Sequence, residues 1–256
     1  MVKSLYCVNF VFMWSLCKKE FRQFFSSLTG YMAITVFLLL TGLFLFLFPD
    51  TSIFAYGYAS LEKFFSLAPW VLLLLIPAIT MRSYSDEYRS GTFELLQTLP
   101  LRTWEVVGGK YFGALAVATL SLVPTLLYAV VVGHLSSAGG LDTGATAGSY
   151  IGLFFLASLF TSIGCCFSSL TSNAVVAFLW SAFACFILYF GFSALSKIPA
   201  LTSGADYYIE MAGVDFHFRS ISRGIIDTRD LVYFLTADLF FLWINFQNIQ
   251  KRTIRS

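Results

Sequence analysis

Apolar residues gather into six long unbroken runs, 31–48, 64–81, 111–133, 150–170, 174–196 and 231–249. Each is long enough for a helix rising about 1.5 Å per residue to cross a hydrocarbon core of roughly 30 Å. The pattern predicts an all-α integral membrane protein with six transmembrane helices. The longest connections, 82–110 and 197–230, are too short to fold a core of their own, so residues 1–256 form a single transmembrane domain.

Two further patterns interrupt the runs. In segment 15–29, Phe21, Phe24, Phe25 and Leu28 recur at i, i+3, i+4 and i+7, while Lys18, Lys19, Arg22 and Gln23 take the other face. That predicts an amphipathic helix in the headgroup plane, basic side toward anionic lipid. In segment 82–110, "EYRSGTFELLQTLPLRTWEV" specifies helix, break, short helix, break, helix. Ser90-Gly91 makes the first break. Thr92 is the expected cap of the short helix, with Glu94 in its first turn, where the helix dipole favours negative charge. Pro100 disfavours helical geometry at Leu99 and ends the element, and Thr103 is the expected cap of the next helix. The short helix sets Phe93, Leu96 and Leu99 along one stripe with Leu95 beside it, in the company of Glu87 and Arg89. Such a stripe either anchors in a groove of another protein or lies back on the membrane interface.

Composition supports the membrane assignment: 58% of residues are hydrophobic and only 12% charged. A water-facing globule of this size cannot bury that much apolar surface. The formal net charge of +2 has no bearing on nucleic acid, because it reflects only how few charges remain outside the runs. Of the Lys and Arg residues, eleven fall in the N-terminal, 82–110 and C-terminal segments and five elsewhere, which predicts cytoplasmic N- and C-termini. The start of the chain has Lys3 before an apolar stretch but no small-x-small cleavage site, so it is expected to be retained. Cys7, Cys17, Cys165, Cys166 and Cys185 read as small apolar residues, and His134 has no second ligand at metal-binding spacing.

Within the runs, Pro69, Pro77 and Pro124 mark places where a membrane helix bends. The last outer loop mixes Phe216, Phe218, Ile221, Ile225 and Ile226 with Arg219, Arg223, Asp227 and Asp230, the pattern of short helices resting on the outer membrane surface. Asp238, near the middle of the sixth run, must face protein or a polar cavity, or become protonated. It is either a functional intramembrane group or polar glue between helices. The runs hold no paired carboxylates, His cluster or Ser/His pair at one depth, so an enzyme is not expected. A G-x-x-x-x-G-K-[ST] loop is missing too, so energy from ATP must come from a partner.

The stretch "LIPAITMRSYSDEYRSGTFELLQTLPLRTWEVVGGKYFGAL" resembles the coupling-helix region of ABC-2 type permeases. Their pattern, close to E-x-x-x-G-T-x-E-L-L-x-T-x-P followed by Gly-Lys, falls here on Glu87, Gly91, Thr92, Glu94, Leu95, Leu96, Thr98, Pro100, Gly109 and Lys110. "KKEFRQFFSSLTGYMAITVFLLLTGLFLFLF" resembles the interfacial elbow helix and first span of the gliding-motility-associated branch, and later segments resemble the rest of it. The proline usual before the first span is missing, and Asp238 stands where that branch has an uncharged residue. The resemblance implies a permease subunit of the bacterial inner membrane that pairs with a second permease half, the same or different. It binds a dimeric cytoplasmic ABC ATPase through the coupling helix and holds no cofactor itself, ATP and magnesium residing on the ATPase. Two functions are open: ATP-driven export, or transmission of ATPase motion to an outer partner without transport.

Overall fold

The computed structural model describes residues 2–47, 61–98, 101–135, 142–197, 206–225 and 227–255. Every regular element among them is helical: α1 (Val2–Ser26), α2 (Leu28–Phe46), α3 (Glu62–Thr80), α4 (Arg82–Ser90), α5 (Thr92–Gln97), α6 (Thr103–Leu122), α7 (Leu126–Leu135), α8 (Thr143–Leu170), α9 (Ala174–Phe186), α10 (Phe192–Ser196), α11 (Asp206–Met211), α12 (Val214–Ser222) and α13 (Thr228–Arg255).

Four continuous helical paths are long and apolar enough to cross a membrane: Glu62–Ser90, Thr103–His134, Thr143–Leu170 and Ala174–Ser196. A fifth is counted if Met13–Ser26 and Gly30–Phe46, bent by 72° at their junction, act as one span. The sequence pattern predicts six. The sixth, in α13, is long enough at 28 residues but diluted by Asp238, Asn245, Gln247 and Asn248. The first of these paths runs on past Met81 to Ser90 despite Pro69 and Pro77. Pro124, by contrast, sits in a 3-10 turn, Val123–Thr125, that joins α6 to α7.

Helix α8 is the most enclosed of the four, packed by α3, α6, α9, α12 and α13. Small residues make this possible, since membrane helices gain from close backbone approach rather than from a hydrophobic drive. A Cβ on Gly164 would overlap the Thr80 hydroxyl, and one on Gly148 would sit 2.6 Å from the Ile221 carbonyl oxygen. The second contact fixes α12 on the start of α8, where Val214, His217, Phe218 and Ile221 are buried. The 197–230 segment therefore holds a helix packed into the bundle and not merely resting on a surface. His217 secures it further: its Nδ1 lies 2.6 Å from Asp230 Oδ1, its Nε2 donates to the Met211 carbonyl at 2.9 Å, and its ring stacks on Tyr233.

Candidate functional site

At the opposite end of the bundle, α4 and α5 form a helical hairpin. Gly91 makes the turn in the left-handed region at φ 71°, a conformation open to glycine and costly for other residues. The expected caps differ in detail. Gly91 occupies the position before α5 and no side chain caps it, while the Thr92 hydroxyl lies 2.9 Å from that of Ser90. Thr103 is the first residue of α6, and Glu105 instead accepts the Arg102 backbone N–H at 3.0 Å.

The stripe divides between two environments. Phe93 is buried, its ring 4.8 Å from that of Tyr88 in an edge-on contact, and Leu96 packs partly against the core. Leu95 is 67% exposed, and Arg89, Gly91, Thr92 and Glu94 are exposed around it. Leu99 and Pro100 lie outside the described residues. Glu87 turns inward, its side chain only 12% exposed. Of the residues expected at a contact surface, Arg89, Gly91, Thr92, Glu94 and Leu95 are exposed, while Glu87 and Phe93 are turned inward and hold the hairpin from within.

Glu87 belongs to a buried charge centre. Lys110, whose side chain is fully buried, places Nζ 2.8 Å from Glu20 Oε1 and 3.0 Å from Glu87 Oε2, and donates to the Ser83 carbonyl at 2.5 Å. It also lies 4.9 Å from the centre of the Tyr84 ring. Lys19 joins at the rim, 3.2 Å from Glu87 Oε1. A buried ammonium is tolerable only when paired and hydrogen-bonded on all sides, and this one is held by α1 and α4 together. Gly109 and Gly113 let α1 come close enough: a Cβ on Gly113 would sit 2.7 Å from Glu20 Cβ, and one on Gly109 would sit 2.9 Å from Leu16 Cδ2. In the same helix α1, Phe21, Phe24 and Phe25 pack partly on the core, and Lys18, Lys19 and Arg22 stay exposed.

Helix α13 closes this end. The Arg252 guanidinium lies 4.0 Å over the Tyr88 ring and donates to the Leu170 carbonyl, Asn245 donates to the Tyr84 hydroxyl, and Trp104 stacks on Phe246 at 4.4 Å. Deeper in, Asp238 accepts from Ser158 at 2.5 Å and from Tyr111 at 3.4 Å, joining α13 to α8 and α6. It faces protein, as a buried intramembrane carboxylate must, and its bonds tie three helices together.

The charge centre was only half legible in the sequence. Glu87 and Lys110 both fall in the recurrent pattern, but their pairing, and that of Glu20 across 90 residues, is a tertiary fact. The one signal for Glu20 is that it is a lone acid between Lys18, Lys19 and Arg22. The His217–Asp230 pair carried no signal beyond a polar residue in an amphipathic helix.

This is a polytopic helical membrane protein whose charged hairpin is locked to its span helices through a buried ion cluster. The sequence profile of the ABC-2 family transporter protein matches residues 14–248, and the chain belongs to that family. It is thus a permease subunit of an ABC transporter, and its family works in general with an ABC ATPase. No curated protein matches the chain.

Proposed function

We propose that this chain is one half of an exporter in a bacterial inner membrane, driven by a cytoplasmic ATPase dimer that docks on the tip formed by Arg89, Thr92, Glu94 and Leu95. In this reading α13 is the sixth span, α1 is the elbow helix, α5 is the coupling helix, and both termini are cytoplasmic. A second permease half, the same or different, completes the pathway. ATP and magnesium stay on the ATPase.

The observation that carries the reading is the Lys110 centre. A lever must be stiff between the point that is pushed and the part that moves. Helix α5 joins α4 through the Gly91 turn and packs Phe93 on Tyr88, α4 continues the Glu62–Ser90 path, and Lys110 at the start of the next path binds Glu87 and Ser83 of α4 and Glu20 of α1. A displacement of α5 is therefore passed to α1, α3 and α6 together. The exposure of Leu95 supports docking there, since burying a leucine side chain in a partner's groove is worth about 1.5–3 kcal/mol.

The test is a pair of substitutions at the exposed tip, Leu95→Asp and Glu94→Lys, in the full complex. Each is expected to lower recovery of the ATPase with the tagged permease by about tenfold or more, as loss of an anchor residue does, with the permease still present in the membrane. Unchanged recovery in both variants overturns the docking site. Transport into inverted vesicles, abolished in the same variants, separates export from transmission of motion without cargo.

A further inference from the structure

The end of the bundle remote from the hairpin holds a cavity of about 720 Å³ between the starts of α3 and α8, helix α12 and the segment 187–191. Its volume falls in the range of small-molecule sites, roughly 300–1,000 Å³. A second cavity of about 280 Å³ adjoins it, lined mainly by Phe44, Leu45, Phe64 and Leu67 with Thr41 and Lys63 among them, and Ser66 and Trp70 line both.

The wall is built by an irregular element. Ile187–Gly191 forms a π-helical turn between α9 and α10, a feature often found at functional sites. The extra residue in that turn sets Tyr189 and Phe190 toward the cavity, where Phe190 stacks on Trp70 at 3.8 Å. Trp70 is 46% exposed and Phe186 beside it 43%, so this wall is open on the apolar side of the span helices.

The lining carries both signs of charge, Glu62, Asp142 and Asp215 with Arg219 and Arg223. Arg219 is already committed, paired with Asp215 and, at 3.4 Å, with Glu210. Arg223 makes no ion pair among the described residues. In the lining of the same cavity, Asp142 Oδ1 caps α8 by accepting the Ala145 N–H at 3.0 Å, and the exposed carboxylate retains a second oxygen.

We propose that the joined cavities hold one membrane phospholipid with a zwitterionic head group. Its phosphate meets Arg223, its ammonium meets Asp142, and an acyl chain passes Ser66 and Trp70 into the second cavity. The site goes beyond the reading of the chain as an ATP-driven permease and does not depend on it, because no residue of the hairpin takes part.

The test uses the full chain purified in a lipid-free nonionic detergent. Phosphatidylethanolamine, phosphatidylglycerol and lysophosphatidylethanolamine are titrated in, and bound lipid is counted by native mass spectrometry. Phosphatidylethanolamine is expected to bind one per chain, about fivefold tighter than phosphatidylglycerol, the scale of one partly exposed charge contact. Asp142→Asn keeps the helix cap, because asparagine caps as well as aspartate. It is expected to remove that fivefold preference while leaving phosphatidylglycerol binding unchanged. Arg223→Gln weakens both lipids. Ser66→Trp fills the passage and is expected to reduce binding of the diacyl lipid by about tenfold. Should Ser66→Trp fail to fold, the two charge variants decide alone. Equal lipid binding in wild type, Asp142→Asn and Arg223→Gln overturns the site. Binding of the lysolipid without the diacyl lipid overturns the bilayer as the source.

Discussion

Lys110 is the residue on which the hairpin end depends. Its ammonium is fully buried with Glu20 and Glu87 on either side. Removing one member of such a cluster leaves uncompensated charge and costs about 3–5 kcal/mol, whereas replacing the whole cluster with neutral groups is often close to neutral. Lys110→Met is therefore expected to lower thermal stability sharply in detergent. The triple variant Glu20→Gln, Glu87→Gln, Lys110→Met is expected to recover most of the loss, as read from melting curves. If the recovered protein fails to couple ATP hydrolysis to transport, the cluster serves transmission as well as stability. Asp238 obeys the same logic on a smaller scale. Asp238→Asn keeps a group that can accept from Ser158, while Asp238→Leu leaves the bonded Ser158–Tyr111 hydroxyl pair one acceptor short and is expected to cost about 1–3 kcal/mol more.

At the level of elements, the hairpin and the α1–α6 contact show how neighbouring residues divide their work. Phe93 and Leu95 are two positions apart in α5, yet one is buried against Tyr88 and the other is exposed. Phe93→Ala is expected to destabilise the chain itself by about 3 kcal/mol, as loss of a buried ring does. Leu95→Ala is expected to leave the melting temperature within a degree or so and to affect only recovery of the ATPase. The α1–α6 contact depends on glycine. Gly113→Val would drive a side chain into the Glu20 methylenes and the Cys17 carbonyl, parting the two helices and with them the Lys110–Glu20 pair. Faster amide hydrogen exchange across 13–26 in that variant, with the α8 core unchanged, is the expected readout.

For the whole molecule, contacts sort the chain into two ends. Lys19, Glu87, Lys110 and Arg252 lie together at one, and the start of α8, Ile221 and Gly224 at the other. The basic residues assigned to the cytoplasm by charge bias include those of the first end, and Arg219 and Arg223 lie at the second. Single cysteines in place of Arg89 and Ile225, both exposed, are expected to react with a membrane-impermeant thiol reagent from opposite sides. Labelling of position 89 only after the membrane is opened, and of 225 in intact cells, is the outcome expected for a cytoplasmic hairpin. The same side for both would remove the topology with α13 as a span.

The amino-acid sequence by itself determined the helical class and the membrane setting, because long apolar runs have no other stable home. It also determined the break at Gly91, a local matter of backbone freedom, and the amphipathic face of α1, a matter of period. Which residues of the hairpin face out was decided only by packing: Tyr88 and Lys110 draw Phe93 and Glu87 inward, and neither attraction is visible in spacing along the chain. The partners of Glu20, Asp238 and His217, and the cavity beside Trp70, arise from contacts between helices far apart in sequence. A pattern of one chain's periodicities reports which face of a helix is apolar, and only the assembled bundle sets which neighbour that face meets.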